Sequence, residues 1–501
     1  MRSINAPLGE RFLLPKPSEE TFDIAVVGAG VVGCALAFRL SLLNIRVIVI
    51  EQHHDVGEGT SKGNSAIVHT GFDATPGSLE SQLVTRASRI WPSLAQKLKI
   101  PLIETGALLA ALDDEQHQKL DKIHAKALAN GVDDVHLLSR AEALELEPTL
   151  APTLCGGLHV PRESIVDPFT TSVACAEVAL TNGCQILLGA QVVAMERNAD
   201  NTTIITAAGT RISTRIVVNT AGLGSRHLAD LYGGAPFDIN PRRGQFVILD
   251  RFSRSLTRGI LLPVPTAKTK GVLVFPTVFG NIVAGPTAED LPLGDPKATD
   301  TTVEGLQWML DEAARLCPDV TTQPVIGAYA GARCNCEQGS YQLRYNDGWP
   351  NVVTVAGIRS TGLTSSFALA DHLIDKMSEH CGLSLEPSAH ATDSRPESAW
   401  PGWWKKAFEG HKQVDQDLYR VVCSCEAITK GEIIAALDSP LKPRTLDAVK
   451  RRTRSMTGRC QGFECTIGVA SIISEHCAIR LEEVSKKGPG SELLARECRH
   501  G

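Results

Sequence analysis

The sequence predicts an α/β protein. A parallel, helix-covered sheet carries an inserted, mainly antiparallel sheet and is followed by a small helix-rich cysteine domain. Three observations predict it. Residues 22–51 run through an apolar stretch, a glycine-punctuated turn, a helical pattern and a second apolar stretch. Between residues 240 and 290 the segments GQFVILD, KGVLVFP and NIVAGPT alternate as antiparallel strands do. Beyond these, Cys423, Cys425, Cys460 and Cys465 form two close pairs.

Taken in order, residues 1–20 hold several prolines and read as an extended arm on the surface. The arm lacks the apolar core of a signal peptide, and Glu10, Glu19 and Glu20 argue against organelle targeting. Residues 22–27 then read as a buried strand, 31 to about 43 as a helix and 46–50 as a second strand. Gly28, Ala29, Gly30 and Gly33 fall between strand and helix as G-x-G-x-x-G, the Rossmann-type dinucleotide fingerprint. Gly28 allows the tight turn, Gly30 lets a pyrophosphate approach the backbone, and Gly33 lets helix and strand pack closely. The helix N-terminus offers N–H groups to phosphate. Glu51, closing the second strand, is placed to accept hydrogen bonds from an adenosine ribose. The unit by itself serves NAD and FAD equally.

Residues 57–73, GEGTSKGNSAIVHTGFD, form a polar, low-bulk loop suited to a cofactor's edge. Amphipathic helices are predicted over 79–98 and 114–129, and a strand leading through Asp167 and Pro168 into a further helix. Strands are predicted at 184–188, 191–195, 203–207 and 216–219, the last followed by the small-residue turn TAGLGS. A strand at 351–356, the turn GIRSTGLTSS and a helix from Phe367 bring a second helix N-terminus toward the cofactor. The expected division is 21–382 for the nucleotide domain with its insertion (roughly 75–160 and 235–335). A linker at 383–415, holding Trp400, Trp403 and Trp404, is expected to pin the cysteine domain at 416–501.

With 501 residues, two or three domains are expected. A net charge of −6 gives no reason to expect nucleic acid. No apolar run approaches a membrane span, so any membrane association is expected to be indirect, through a partner, and the compartment to be cytoplasmic. Fourteen cysteines in such a compartment are not a disulfide framework. The scattered ones read as small buried hydrophobes. The C-x-C and C-x4-C pairs are not the common zinc spacing. Four thiolates suit a 2Fe–2S cluster, with structural zinc as the alternative. The basic run Lys450, Arg451, Arg452, Arg454 and Arg459 before the second pair reads as a solvated helix face, or as cations favouring a reduced cluster.

The block GTSKGNSAIVHTGFDATPGSLES, with SIVDPFTTS, PRRGQF, GNIVAGPTAED, AYAGAR and GIRSTGLTSS, resembles the FAD-dependent oxidoreductases of the D-amino-acid oxidase superfamily over residues 23–378. Within it the chain resembles anaerobic glycerol-3-phosphate dehydrogenase large subunits and L-2-hydroxyglutarate dehydrogenases. VVCSCEAITKGEI and VKRRTRSMTGRCQGFEC resemble the bacterioferritin-associated-ferredoxin type of 2Fe–2S domain. The resemblance, not the spacing, implies a Rossmann-type FAD-binding domain with an inserted substrate domain, and FAD rather than NAD. It implies that Gly28, Ala29, Gly30, Gly33 and Glu51 hold the ADP half, and that Ser61, Asn64 and Ser65 line pyrophosphate and flavin. It also implies that Val193 meets the adenine through its backbone, that Ala221 and Gly222 pass the cofactor, and that Gly357, Gly362, Leu363 and Thr364 approach the flavin. The dehydrogenases of glycerol 3-phosphate often carry an arginine after the histidine motif, whereas here Gly71 precedes Phe72 and Asp73.

Flavin oxidation of an alcohol needs a base for the hydroxyl proton and a holder for the substrate's charge. His69 is the candidate base, a structural histidine being the alternative. Arg333 is the candidate anion clamp, its fork matching carboxylate or phosphate. Arg242, Arg243, Arg359 and Thr364 are weaker candidates for the same pocket. Cys334 and Cys336 read as two free thiols. The expected activity is oxidation of a small anionic alcohol, with glycerol 3-phosphate ahead of a 2-hydroxy acid. Electrons are expected to pass through the cluster to an acceptor protein subunit. The rivals are an amine or imino-acid oxidase and a non-catalytic electron-transfer module.

Overall fold

The computed structural model describes residues 8–13, 21–265, 271–295, 298–336, 341–395 and 416–494. Its first sheet is built on five parallel strands, in the order Gln185–Leu188, Val47–Ile50, Phe22–Val27, Arg211–Asn219 and Val352–Ala356. Strands buried on both faces read as continuous apolar runs, and Phe22–Val27 and Val47–Ile50 do so. Period-two alternation then divides the core. Ile24, Val26, Val47 and Val49 pack with Phe38 and Phe367 under the helices. Ala25, Val27, Ile48 and Ile50 pack with Tyr232 and Phe237 on the other side.

The helix-covered face carries Val31–Leu40, Pro168–Thr181 and Gly362–Cys381. The last starts earlier than the Phe367 expected from sequence. Thr364 and Ser365 are weak helix formers, but tertiary bonds hold them there. Thr364 Oγ1 donates to the Ile67 carbonyl at 3.3 Å, and Ser365 Oγ lies 3.1 Å from Tyr341 Oη. Residues 11–13, expected in a surface arm, add an antiparallel edge strand beside Gln185–Leu188.

The second sheet is mainly antiparallel. Ile239–Leu249 pairs along its length with Val325–Cys336, in a register that sets Arg242 opposite Arg333 and Gly244 opposite Gly331. A single parallel pair joins Ile260–Pro263 to Ala107–Ala111. Helix Val303–Leu316 covers one face of this sheet through Met309, Ala313 and Leu316. The opposite face looks toward the glycine loop. Between the two sheets lies a short three-stranded sheet in which Ile67–Val68 and Leu102–Glu104 flank Ser164–Val166, with Val68 opposite Ser164.

The cysteine domain packs helices Lys430–Leu437, Leu446–Thr453 and Thr466–Cys477 around Ile433, Val449, Ile472 and Ile473. Its basic run is divided: Arg451, Arg452 and Arg454 are buried, while the Arg459 side chain is 60% exposed and acts on Cys425. Arg452 donates to both oxygens of Asp55 at 2.8 Å. Arg451 reaches Asp55 at 2.5 Å and Glu58 at 2.6 Å. All four side chains are buried. Arg454 pairs with Glu426 at 2.9 Å and Arg459 with Asp250 at 2.8 Å. The domain is thereby docked on both sheets. The Trp400, Trp403 and Trp404 expected to pin it lie outside the described residues. The part of the expected linker that is described is not loose. Arg395 makes a buried ion pair with Glu177 at 2.7 Å.

Candidate active site and cysteine centre

A cavity of about 750 Å³ runs from the glycine loop to the inner face of the antiparallel sheet. Its near end is built as the sequence requires. Gly28 has φ +105°, and a Cβ there would stand 2.7 Å from the Thr220 carbonyl oxygen. A Cβ on Gly33 would stand 2.0 Å from the Gly28 carbonyl oxygen, so helix and strand touch through bare backbone. Glu51 lines the cavity and accepts from the Ala29 N–H at 2.7 Å and the His53 N–H at 2.9 Å. Burial pushes its carboxyl above the usual range, against the pull of His53 and the two N–H bonds. Gly30 caps no N–H with a side chain. Instead Ser61 Oγ, from the following loop, accepts from the Val31 N–H at 2.9 Å. A helix N-terminus, a facing carboxylate and glycine-walled space fit the ADP half of a dinucleotide.

The wall also includes Ser61, Asn64 and Ser65, Ala221 and Gly222, and Gly357, Gly362 and Leu363. Asn64 is locked by its own bonds, to the Ser61 carbonyl at 2.6 Å and from the Ala66 N–H at 2.7 Å. Val193 is displaced by one residue. A register shift between Val192 and Ala194 turns Val193 outward, 43% exposed, and Val192 lines the cavity.

The wall also holds His69, Arg333, Arg242 and Arg359. Thr364 is not in the wall. Its hydroxyl accepts from the His69 N–H at 3.0 Å, behind the histidine. Arg243 is also elsewhere. It faces away, donating to Glu289 at 2.5 Å, because side chains on a strand alternate and Arg242, Gly244 and Phe246 share the cavity face. That apolar-marked phase could have separated the two arginines in the sequence. Arg242 is paired with Asp290 at 2.6 Å, and Arg359 with Glu80 at 3.0 Å.

Arg333 differs from them. Its guanidinium donates to the Thr287 carbonyl at 2.8 Å and the Arg242 carbonyl at 3.5 Å. Among the described residues it forms no ion pair. Burial, with help from Arg242, lowers its pKa to about 10, which still leaves it charged at neutral pH.

His69 has a partner the sequence reading missed. Its Nδ1 lies 2.9 Å from Oε2 of Glu163, whose other oxygen accepts from the Thr70 N–H at 2.6 Å and hydroxyl at 2.9 Å. Glu163 is fully buried. The loop preceding His69 is wedged into place. Thr60 Oγ1 donates to the Ala332 carbonyl at 2.6 Å, Tyr329 Oη to the Asn64 carbonyl at 2.9 Å, and Lys62 to Glu58 at 2.5 Å. A Cβ on Gly331 would sit 1.7 Å from the Gly63 carbonyl oxygen. Cys334 lines the cavity and is not in a disulfide, nor is Cys336. Burial pushes the Cys334 thiol up to about 11.

The four C-terminal cysteines come together in pairs. Cys425 and Cys460 interact closely enough to shift each other's titration, and Cys423 shifts that of Cys465. Cys423 and Cys465 are buried, while Cys425 and Cys460 are partly exposed. Backbone N–H groups, Glu464 first, hold Cys460 below its usual value. Among the described residues no three His, Cys, Asp or Glu side chains gather as one bare ion requires. Four thiols in two pairs match the donor set of a 2Fe–2S cluster.

A model of the FAD dependent oxidoreductase family matches residues 23–376, and one of the BFD-like 2Fe-2S binding domain matches residues 421–475. The glycerol 3-phosphate dehydrogenase of Caloramator mitchellensis is 34% identical over 476 residues, covering 94% of this chain and 98% of that protein. A mitochondrial L-2-hydroxyglutarate dehydrogenase of Caenorhabditis briggsae is 29% identical, covering 57% of this chain and 67% of its own. The solved structure of dithionite-reduced L-alpha-glycerophosphate oxidase from Mycoplasma pneumoniae with FAD bound is similar at TM-score 0.70 and 26% identity. It covers 75% of this chain and 98% of that one.

Proposed function

We propose, for a chain that belongs to the FAD-dependent oxidoreductase family and carries a BFD-like 2Fe-2S binding domain, that its reaction is the oxidation of glycerol 3-phosphate. The electrons then leave through the cluster to an acceptor protein subunit. One observation carries the substrate reading. His69 and Arg333 line the same cavity, and Arg333 is a half-buried cation bonded, among the described residues, to carbonyl oxygens alone. A guanidinium bonded to carbonyl oxygens, with Asp290 acting on it from beyond ion-pair distance, can still take an anion through its fork, and the phosphate named in two of the relatives' substrates is one.

The bound FAD supplies the hydride acceptor and the cluster a one-electron outlet. Arg333 grips the phosphate through its fork. His69 takes the hydroxyl proton at Nε2 as the carbon gives up its hydride. Arg242 and Arg359, already held by Asp290 and Glu80, shape the mouth and add positive potential. Glu51 accepts from the ribose and the N-terminus of Val31–Leu40 faces the phosphates. Among the described residues no helix is long and apolar enough to cross a membrane. Any contact with a membrane comes through the acceptor.

The test is an anaerobic screen of the holoprotein with glycerol 3-phosphate, L-2-hydroxyglutarate, other 2-hydroxy acids and amino acids, scored by loss of flavin absorbance. Glycerol 3-phosphate is expected to bleach the flavin at the lowest concentration. Bleaching by a 2-hydroxy or amino acid alone moves the chain to that substrate. Bleaching by none supports an electron-transfer module.

A further inference from the structure

The base proposed above is a histidine whose competence depends on which ring nitrogen holds the proton, and the fold places a group that decides it. Strands Ile67–Val68 and Ser164–Val166 are antiparallel, with Ile67 opposite Ile165 and Val68 opposite Ser164. One step further along the same register sets His69 opposite Glu163. The turn that carries Glu163 is fixed by its own backbone, since the Glu163 carbonyl accepts from the Gly106 N–H at 2.9 Å. On the other side, Thr364 Oγ1 accepts the His69 N–H. That threonine's carbonyl in turn accepts the Trp91 indole N–H at 2.8 Å. Histidine and acid are thus held from both ends.

We infer that Glu163 is a positioning residue which keeps the His69 proton on Nδ1 and so leaves the basic lone pair at Nε2. The inference rests on the reading of His69 as the base. Its chemistry follows from the donor count. Oε1 of Glu163 already takes two donors from Thr70, so Oε2 is the acceptor left for the imidazole Nδ1–H at 2.9 Å. A carboxylate there also stabilises the imidazolium formed when His69 takes the substrate's proton, which raises the histidine's strength as a base. Glu163 is fully buried and outside the cavity wall, so it acts through His69 and touches no substrate.

The decisive variant is Glu163→Gln. The two Thr70 donors hold the glutamine's carbonyl at the Oε1 position and turn its amide N–H toward Nδ1. The proton is thereby driven to Nε2. FAD content and the substrate concentration for half-maximal flavin reduction are expected to stay near the parent's. The saturated rate of flavin reduction by glycerol 3-phosphate is expected to fall by roughly 10- to 100-fold, up to the lower end of what a general base contributes. Glu163→Asp keeps the charge and is expected to recover part of that loss.

A second readout is independent of turnover. The 15N spectrum of histidine-labelled holoprotein, with the His69 signals assigned by their loss in His69→Gln, is expected to show a protonated Nδ1 in the parent and a protonated Nε2 in Glu163→Gln. A parental rate in Glu163→Gln, or a parent spectrum with the proton on Nε2, overturns the inference. If Glu163→Gln does not fold, the parent spectrum and Glu163→Asp decide it. His69→Gln separates the two readings. If it reduces its flavin as fast as the parent, the base assignment itself has failed. If it is slow while Glu163→Gln is fast, only the positioning role has.

Discussion

Replacing Asp55 with Asn should undock the cysteine domain without touching either cofactor site. Asp55 is 1% exposed and receives three charge-assisted bonds, at 2.5 Å from Arg451 and twice at 2.8 Å from Arg452. Removing one partner of a buried ion pair typically costs about 3–5 kcal/mol, because the opposite charge is left in low dielectric. Here Glu58 still faces Arg451 at 2.6 Å, while Arg452 loses its counter-charge and one of its two acceptor oxygens. The lower half of the range is therefore expected, and about 4 kcal/mol is close to a thousandfold in the docked-to-undocked ratio. The assay is denaturant unfolding followed by flavin fluorescence and by the visible dichroism of the cluster. In the parent the two signals should move together. In D55N the cluster signal should change first, at clearly lower denaturant. Burial alone would push the Asp55 carboxyl up, but Arg452 and Arg451 outweigh it and hold it far below the usual range. A carboxylate depressed in the folded state contributes its stability above the unfolded value of about 3.9 and loses it only as pH falls through the lower folded value. The difference between parent and D55N should therefore be constant from pH 8 to pH 5. Coincident transitions in D55N, at the parent midpoint, would refute the docking argument.

Three further outcomes are expected. Glu51→Ala should weaken FAD retention by about 1.5–3 kcal/mol, the value of a hydrogen bond to a charged group, read as flavin content after dialysis; unchanged content sinks the ribose assignment. Arg333→Lys keeps a charge but loses the fork, so flavin reduction at limiting glycerol 3-phosphate should slow at least tenfold, and a parental rate would remove Arg333 as clamp. Cys460→Ser should leave flavin reduction by substrate intact while abolishing the cluster's visible and electron-spin signals and transfer to the acceptor. A metal assay of the parent that finds zinc without iron or labile sulfide would count against it.

What the sequence made legible was periodic and local. The helices at 79–98 and 114–129 match the structure at both ends, because each amphipathic run opens on a side-chain cap, Ser78 and Asp113. The glycine loop and the acid at Glu51 were legible because their spacing is their chemistry. Hidden features depended on register or on distant chain. A single irregularity between Val192 and Ala194 leaves Val192 rather than Val193 in the cavity wall. Arg242 and Arg243 are adjacent and alike, and only the phase set by Phe246 tells which one meets the cavity. Glu163 is one acid among several until the pairing of two very short strands sets it across from His69. The basic run looked solvated because its acids, Asp55 and Glu58, belong to the opposite end of the chain.

That last separation sets a timetable for maturation. Asp55 and Arg452 are 397 positions apart, so residues 55–62 leave the ribosome early and wait for almost the whole chain before their counter-charges arrive. The loop that walls the flavin site is clamped on one side by Ala332 and on the other by Arg451. Neither clamp exists on a half-made chain. The docking of residues 55–58 is then an event after synthesis rather than during it. A nascent chain cut short before residue 446 would hold its glycine fingerprint intact while Asp55 and Glu58 still lacked their counter-charge on Arg451.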